Sequence, residues 1–402
     1  MAEIIGDEFD NLLDGPDDEP NLILGQDGND TLIGGNFQDP LFTSQDGGGA
    51  DTLFGGDGDD LLIGLGGNDQ LRGDAGNDTL LGGDGNDFLR GQQGVDYFDG
   101  GDGMDRVSLF HLDATQAAVA SLLTQTIYND GYGNVETMVS IEGLGQGTAF
   151  ADLFIGDNGD NFFLADAGDF IFLLGGDDTI QLNGVPSILL GGSGNDTITS
   201  FVDFTIIPDN TGDGFAEIVE RTAGVRADLQ ASIVFDDGFG NSGLIVSIEN
   251  IGGSAFDDVL RGDNGANALT GFEGDDDIRG RNGDDTIDGG AGADSLRGDG
   301  GEDVFVYDEA SDSTVDPSGQ DAIRGFRSGD DMLDLSGLAD ETAGGAPLTF
   351  ASVFDGTAGQ IVVTDLPGAA AFVDVDLDGD AVSDFRIHLL AGDVPLVSDF
   401  IV

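Results

Sequence analysis

Cysteine and tryptophan are absent from this 402-residue chain, histidine occurs twice, and 12 basic residues face 79 acidic ones. Without cysteine there is no disulfide, no thiol nucleophile and no thiolate metal site. His111 and His388 stand far apart, so no histidine cluster can hold a transition metal. Neither H-E-x-x-H nor G-x-S-x-G occurs anywhere. His111, between "VSLF" and "LDA", reads as a structural or surface residue. His388, in "FRIHLL", alternates with apolar neighbours and is expected to face solvent from a strand. No uncharged run reaches the roughly 18 residues of a membrane span. The opening "MAEIIGDEFD" lacks the basic and apolar regions of a cleaved signal peptide. The expected destinations are the cytosol, or the exterior by a route that reads a different signal.

The formal net charge is -67, one negative charge per six residues (402/67). Self-repulsion on that scale opposes collapse. Nucleic acid and anionic membranes are poor partners for such a surface, so no nucleic acid and no membrane insertion are expected, and cations are the natural partners. High charge with 70 glycines would ordinarily mark disorder. Yet 39% of the residues are hydrophobic, 27 of them phenylalanine. The chain can bury a core if something cancels the acid.

A nine-residue phrase supplies the candidate. From Asp46 to Ser108 seven units follow without a gap. Position six is always aspartate: Asp51, Asp60, Asp69, Asp78, Asp87, Asp96 and Asp105. Position eight is always large and apolar, from Leu53 to Phe98 and Val107. The first six residues predict a tight turn whose glycines accept positive φ, and the last three a short strand with its middle side chain inward. Two units then close one coil of a right-handed parallel β-roll, an all-β β-solenoid with turns stacked about 4.8 Å apart. Rows of carboxylates and carbonyls in those turns suit a hard cation that takes about 6–8 oxygens, which points to Ca2+ rather than magnesium. The pattern G-G-x-G-x-D-x-U-x resembles the RTX (repeats-in-toxin) calcium-binding repeat.

The phrase returns in a weaker block at 147–199, with Asp152, Asp178 and Asp196 at position six. It returns again at 253–306, with Asp258, Asp276, Asp285, Asp294 and Asp303, and Asn267 once in their place. A unit at 25–33 keeps Asp30, one at 34–42 lacks its fourth glycine, and 6–14 is a worn copy. The 17 units with aspartate at position six predict roughly 10–15 shared calcium ions. Between the blocks, "NDGYGN" (129–134) and "VSIE" (139–142) recur as "DDGFGN" (236–241) and "VSIE" (246–249), each 107 residues on. The expected organisation is an N-terminal roll (1–108), a β-rich insertion (109–146), a second block (147–199), a duplicate insertion (200–252), a third roll (253–306) and a β cap (307–402). Residues 114–125, "ATQAAVASLLTQ", are the one helix-like stretch.

Two acidic loops have EF-hand-like spacing. Asp374, Asp376, Asp378 and Gly379 open D-x-D-x-D-G, but Phe385 stands where the closing glutamate should be. Asp209, Asp213, Gly214 and Glu220 match better, with Thr211 at the third position. Each loop is either a further calcium site or an acidic turn between strands.

The segment "GEDVFVY...QDAIRGFRSGDDMLDLSGL" (301–338) and the closing "DFIV" are similar to the C-terminal region of serralysin-type secreted proteases. That resemblance implies a cap on the roll and a C-terminal signal, ending at Asp399, Phe400, Ile401 and Val402, read by a type I secretion apparatus. It does not imply proteolysis, since the zinc motif is missing. The expected protein is secreted, extracellular or cell-surface, and unfolded until it meets millimolar calcium outside. Its expected role is structural or adhesive rather than enzymatic: surface-layer, adhesin, biofilm-matrix or filament component, self-assembling head to tail. The alternative is a secreted polysaccharide-active enzyme or accessory module with its site in an insertion.

Overall fold

The computed structural model describes residues 2–5, 12–14, 21–27, 31–33, 50–111, 114–166, 168–182, 188–201, 204–207, 217–220, 223–236, 242–343, 345–367 and 370–402. The chain divides into two compact units, Met1–Gly194 with Ile206–Glu217, and Asn195–Thr205 with Ile218–Val402. Among the described residues the regular structure is strand, apart from short 3-10 turns at Gly337–Glu341 and Val397–Asp399. No helix among them is long and apolar enough to cross a membrane.

In the first unit, alternate strands fall into two parallel sheets. Thr52 pairs with Gln70, Gln70 with Phe88, and Phe88 with Arg106. On the other side Leu61 pairs with Thr79 and Thr79 with Tyr97. Each step is 18 residues, so two nonapeptides make one coil of a parallel β-roll. Position eight fills the space between the sheets: Leu53, Leu62, Leu71, Leu80, Leu89, Phe98 and Val107 are at most 1% exposed. Burying one such side chain contributes about 1.5–3 kcal/mol. That is one apolar anchor per nine residues, a thin core.

Each insertion joins the sheets beside it. Glu136–Val139 runs parallel to Tyr97–Asp102, and Val119–Ser121 runs parallel to Leu153–Ile155. Thr126–Asn129 lies antiparallel to both insertion strands. In the second unit, Arg226–Asp228, Ile233–Asp236 and Gly243–Val246 repeat this meander, with Arg226–Asp228 parallel to Val259–Arg261. The helix expected at 114–125 is not formed. Ala118, Ala120 and Leu122 are all buried, a period of two, and Ala120 pairs across to Phe154. Sheet pairing overrides the helix propensity of the alanines.

The second unit continues in parallel coils through Ser295–Gly300 and Val304–Val306. Ala322–Arg324 then pairs parallel with Phe385–Leu390, whose other edge meets Ala370–Asp376 antiparallel. His388 points outward from that strand, its ring 4.7 Å from Phe372. The last strand, Phe400–Ile401, pairs parallel with Leu333 and Asp334, and the Phe400 ring packs 4.9 Å from Phe350. His111 is buried, 5.1 Å from Tyr132, in a packing role.

Candidate metal centre

Two glycines shape each turn. Position four has positive φ at every described unit of the first block, from 127° at Gly67 to 150° at Gly103. A Cβ on Gly94 would sit 1.5 Å from the Gly76 carbonyl oxygen, so stacked turns approach too closely for any side chain there. Position one faces the carboxylate of its own unit. A Cβ on Gly64 would lie 2.4 Å from Asp69 Oδ2 and 2.5 Å from the Gly82 carbonyl oxygen. A carboxylate oxygen and a carbonyl from the next coil therefore converge on one spot.

The position-six aspartates form rows. The Asp51 amide donates to Asp69 Oδ1 at 2.7 Å, Asp69 to Asp87 at 2.8 Å, and Asp87 to Asp105 at 2.8 Å. The opposite turns run Asp60 to Asp78 to Asp96. In the second unit one row is Asp258, Asp276 and Asp294, and the other is Asn267, Asp285 and Asp303. All fifteen position-six aspartates among the described residues, including Asp152, Asp178 and Asp196, are at most 3% exposed. Asp30, Asp209 and Asp213, and the side chain of Glu220, lie outside the described residues.

In Asp69, Asp78, Asp87, Asp96, Asp105, Asp276, Asp285, Asp294 and Asp303, Oδ1 takes the amide of the neighbour in the row. The second oxygen of Asp69, Asp78, Asp87, Asp96, Asp105, Asp276, Asp285, Asp294 and Asp303 is buried and meets no donor. A buried acceptor left unsatisfied costs about 1–3 kcal/mol. Burial first, then the carboxylates above and below, push the Asp78 and Asp276 carboxyls up to about 8, and those of Asp69, Asp105 and Asp285 to about 7. The rows offer oxygen only, are poorly solvated, and resist ionisation unless positive charge sits among them. A divalent oxygen-seeking cation fits them, and a nitrogen- or sulfur-seeking one does not.

The structure extends the rows with residues the nine-residue scan missed. The Asp96 amide donates to Glu136, and Asp105 to Glu142. Asp196 donates to Glu249, Asp294 to Asp321, and Asp303 to Asp331. Burial first, then Asp294, pushes Asp321 up to about 9. Asp152 donates to Asp169 across 17 residues, a coil one residue short. The repeated "VSIE" carried a signal for Glu142 and Glu249, since the phrase recurs with its glutamate in place.

Asp152 and Asp258 differ from the other row members in their hydrogen bonds. Asp152 accepts the amides of Thr148 and Ala118 and the Thr148 hydroxyl, and Asp258 likewise accepts from Ser254 and Val225. Both oxygens of each are already engaged by protein donors that brace an insertion. In the cap, Asp376 and Asp378 do come together, but with Asp384 in place of Asp374. Asp374 is held instead by Arg386 at 2.6 Å. The Asp376 and Asp384 carboxylates accept amides of their own turn, and with Asp378 they lie close enough together to hold a cation.

Coils of 18 residues lined by such rows define a calcium-binding nonapeptide-repeat protein. Four copies of the family described as RTX calcium-binding nonapeptide repeat match at 5–39, 45–80, 72–107 and 145–169, and these repeats bind multiple Ca2+ ions. The family described as Peptidase M10 serralysin C terminal matches residues 185–402, more than half of the chain, and the chain belongs to it. A search of curated proteins gives no match. Among solved structures, the chain is similar to the AlgE6R3 subunit of the Azotobacter vinelandii mannuronan C5-epimerase (26% identity, 36% of this chain and 78% of that one, TM-score 0.28). It is similar also to the AlgE6R2 subunit of that enzyme (24%, 38% and 92%, TM-score 0.30). The extracellular lipase LipA of Serratia marcescens matches over 95% of this chain and 40% of its own, at 16% identity and a TM-score of 0.25.

Proposed function

We propose that the protein is an exported structural or adhesive component that folds when calcium fills its carboxylate rows. The observation that carries this is the set of buried second oxygens without donors, with a glycine carbonyl of the next coil converging on those of Asp69, Asp87 and Asp276. In this reading Asp69, Asp87 and Asp105 on one side, and Asp60, Asp78 and Asp96 on the other, hold ions between successive turns. Asp276, Asp285, Asp294 and Asp303 do the same in the second unit, and Glu136, Glu142, Asp321 and Asp331 close the row ends. Calcium supplies the positive charge that lets these acids ionise while buried.

Binding and folding are then one event, because the oxygens converge only when coils are stacked. With little calcium in the cell the chain stays extended and suits export by a type I apparatus. At extracellular calcium it sets, with 307–402 as the cap from which coils add. Segment 109–146 braces the roll beside it, with Glu136–Val139 and Val119–Ser121 joined to its strands. Head-to-tail stacking of copies gives the surface-layer or matrix role its material.

Circular dichroism and sedimentation in chelator and in calcium test this reading. The expected result is strand signal and compaction only with calcium, followed by concentration-dependent association. Equal strand content in both conditions overturns the folding switch, and a strict monomer at high concentration in calcium overturns the assembly.

A further inference from the structure

All twelve basic residues are arginine, and in the second unit four of them share one row. Arg261 stands in register with Arg279, and Arg279 with Arg297. The pairing of Leu296 with Ile323 carries the row on to Arg324. The buried Leu260, Ile278, Leu296 and Ile323 point inward, so the arginines occupy the outer face. Adjacent strands stand about 4.8 Å apart, where like charges oppose each other. Three acids stand against the four arginines, Asp228 being in register with Arg261. Asp277 pairs with Arg261, Asp299 is shared by Arg279 and Arg297, and Arg324 makes no ion pair among the described residues. Arg279 and Arg297 stay 43% and 49% exposed. Beyond Arg324, Arg386 lies over the Phe372 ring at 4.7 Å.

In a chain of net charge -67, arginines scattered among the acids would relieve repulsion everywhere. Aligning them on one face gives up that relief and builds a local cationic strip. The first unit repeats the device: Arg72 and Arg90 are in register, and Arg72 lies over the Phe54 ring at 5.8 Å.

We propose that the row Arg261–Arg279–Arg297–Arg324 binds a linear acidic polysaccharide. The forked guanidinium matches a carboxylate or sulfate bidentately, and a row at strand spacing suits charges repeated along a polymer. This gives the adhesive role proposed above a partner, and rests on that reading only for where the polymer is met.

The test uses the full chain in saturating calcium, with hexagalacturonate, a heparin-derived hexasaccharide and neutral maltohexaose as titrants in calorimetry. Acidic sugars are expected to bind, more weakly as salt rises, and maltohexaose not at all. Arg297→Gln with Arg324→Gln is expected to weaken binding about tenfold or more, with circular dichroism and calcium stoichiometry unchanged, and the paired lysine variant to retain part of it. Binding of hexagalacturonate alone assigns the row to carboxylates, and binding of the heparin fragment alone assigns it to sulfates. The proposal is overturned if neither binds, if the glutamine variant binds like the parent, or if the variant changes only sedimentation, which would make a second copy the partner. Calcium-induced strand signal is read on the same samples, so a failed folding switch is distinguishable from a failed sugar site.

Discussion

Asn267 shows what the position-six side chain does apart from its charge. Its amide donates to Asp285 at 2.9 Å, its Oδ1 accepts from Asp263 at 2.8 Å, and its Nδ2 donates to the Glu249 carbonyl at 2.8 Å. Asparagine thus keeps the backbone ladder and satisfies the place where a second carboxylate oxygen would be stranded. Asp276→Asn should therefore have effects of opposite sign. In chelator near pH 8 it should raise stability by about 1–3 kcal/mol, the size of a relieved buried acceptor. In calcium it should lower stability and reduce the ion count. Denaturation with and without calcium, with calorimetric stoichiometry, checks this; shifts of the same sign in both would mean that Asp276 does not bind an ion. Gly271 is the matching backbone test, because a Cβ there would lie 1.9 Å from Asp276 Oδ2 and 2.4 Å from the Gly289 carbonyl oxygen. That glycine is legible in the sequence as part of a phrase, but its reason is a contact made through space.

At the scale of the element, the unit of construction is the 18-residue coil and not the nonapeptide. Excising 73–90 should leave every later strand in its own sheet, with a modest stability loss and fewer bound ions. Excising 100–108 alone, also half a coil, removes the strand of Arg106 on which Gly143 is seated, so the insertion cannot keep that seat together with the place of Glu136 to Val139 beside the strand of Phe98. The expected cost of this half-coil deletion is about 4 kcal/mol or more, in the exceptional range for a local change. Thermal melts of the two deletions in calcium compare them directly, and equal losses would contradict the coil as the unit. The coils were readable because a period of nine survives in a single sequence. The row members Asp169, Glu136, Asp321 and Asp331 were not, because segments of other lengths deliver them to the same rows.

For the whole molecule, pH and calcium act on the same groups. The metal-free fold holds Asp78 and Asp276 at about 8 and Asp69, Asp105 and Asp285 at about 7, well above the ordinary carboxylate range. The folded state therefore keeps protons that the unfolded chain releases. Its metal-free stability is greatest at acid pH and is lost as pH rises from about 4 through 8. Calcium reverses the trend, because it binds the ionised form and its affinity rises over the same interval. In chelator, strand content should be higher at pH 4.5 than at pH 8; in calcium, the midpoint concentration for folding should fall with pH. A chelated chain whose strand content rises with pH would contradict the buried rows as the seat of the switch.

The sequence by itself determined the coil, the inward column at position eight, the aspartate at position six and the kind of ion they suit, because each follows from local spacing. Only the tertiary structure decided which carboxylates keep an open oxygen. Asp152 and Asp276 are the same letter at the same position of the phrase. Thr148 and an insertion amide close the oxygens of the first, while the second keeps Oδ2 without a donor, beside the Gly289 carbonyl. Whether a buried acid is braced or left open is settled by the donors that stacking brings to it, and those come from other coils.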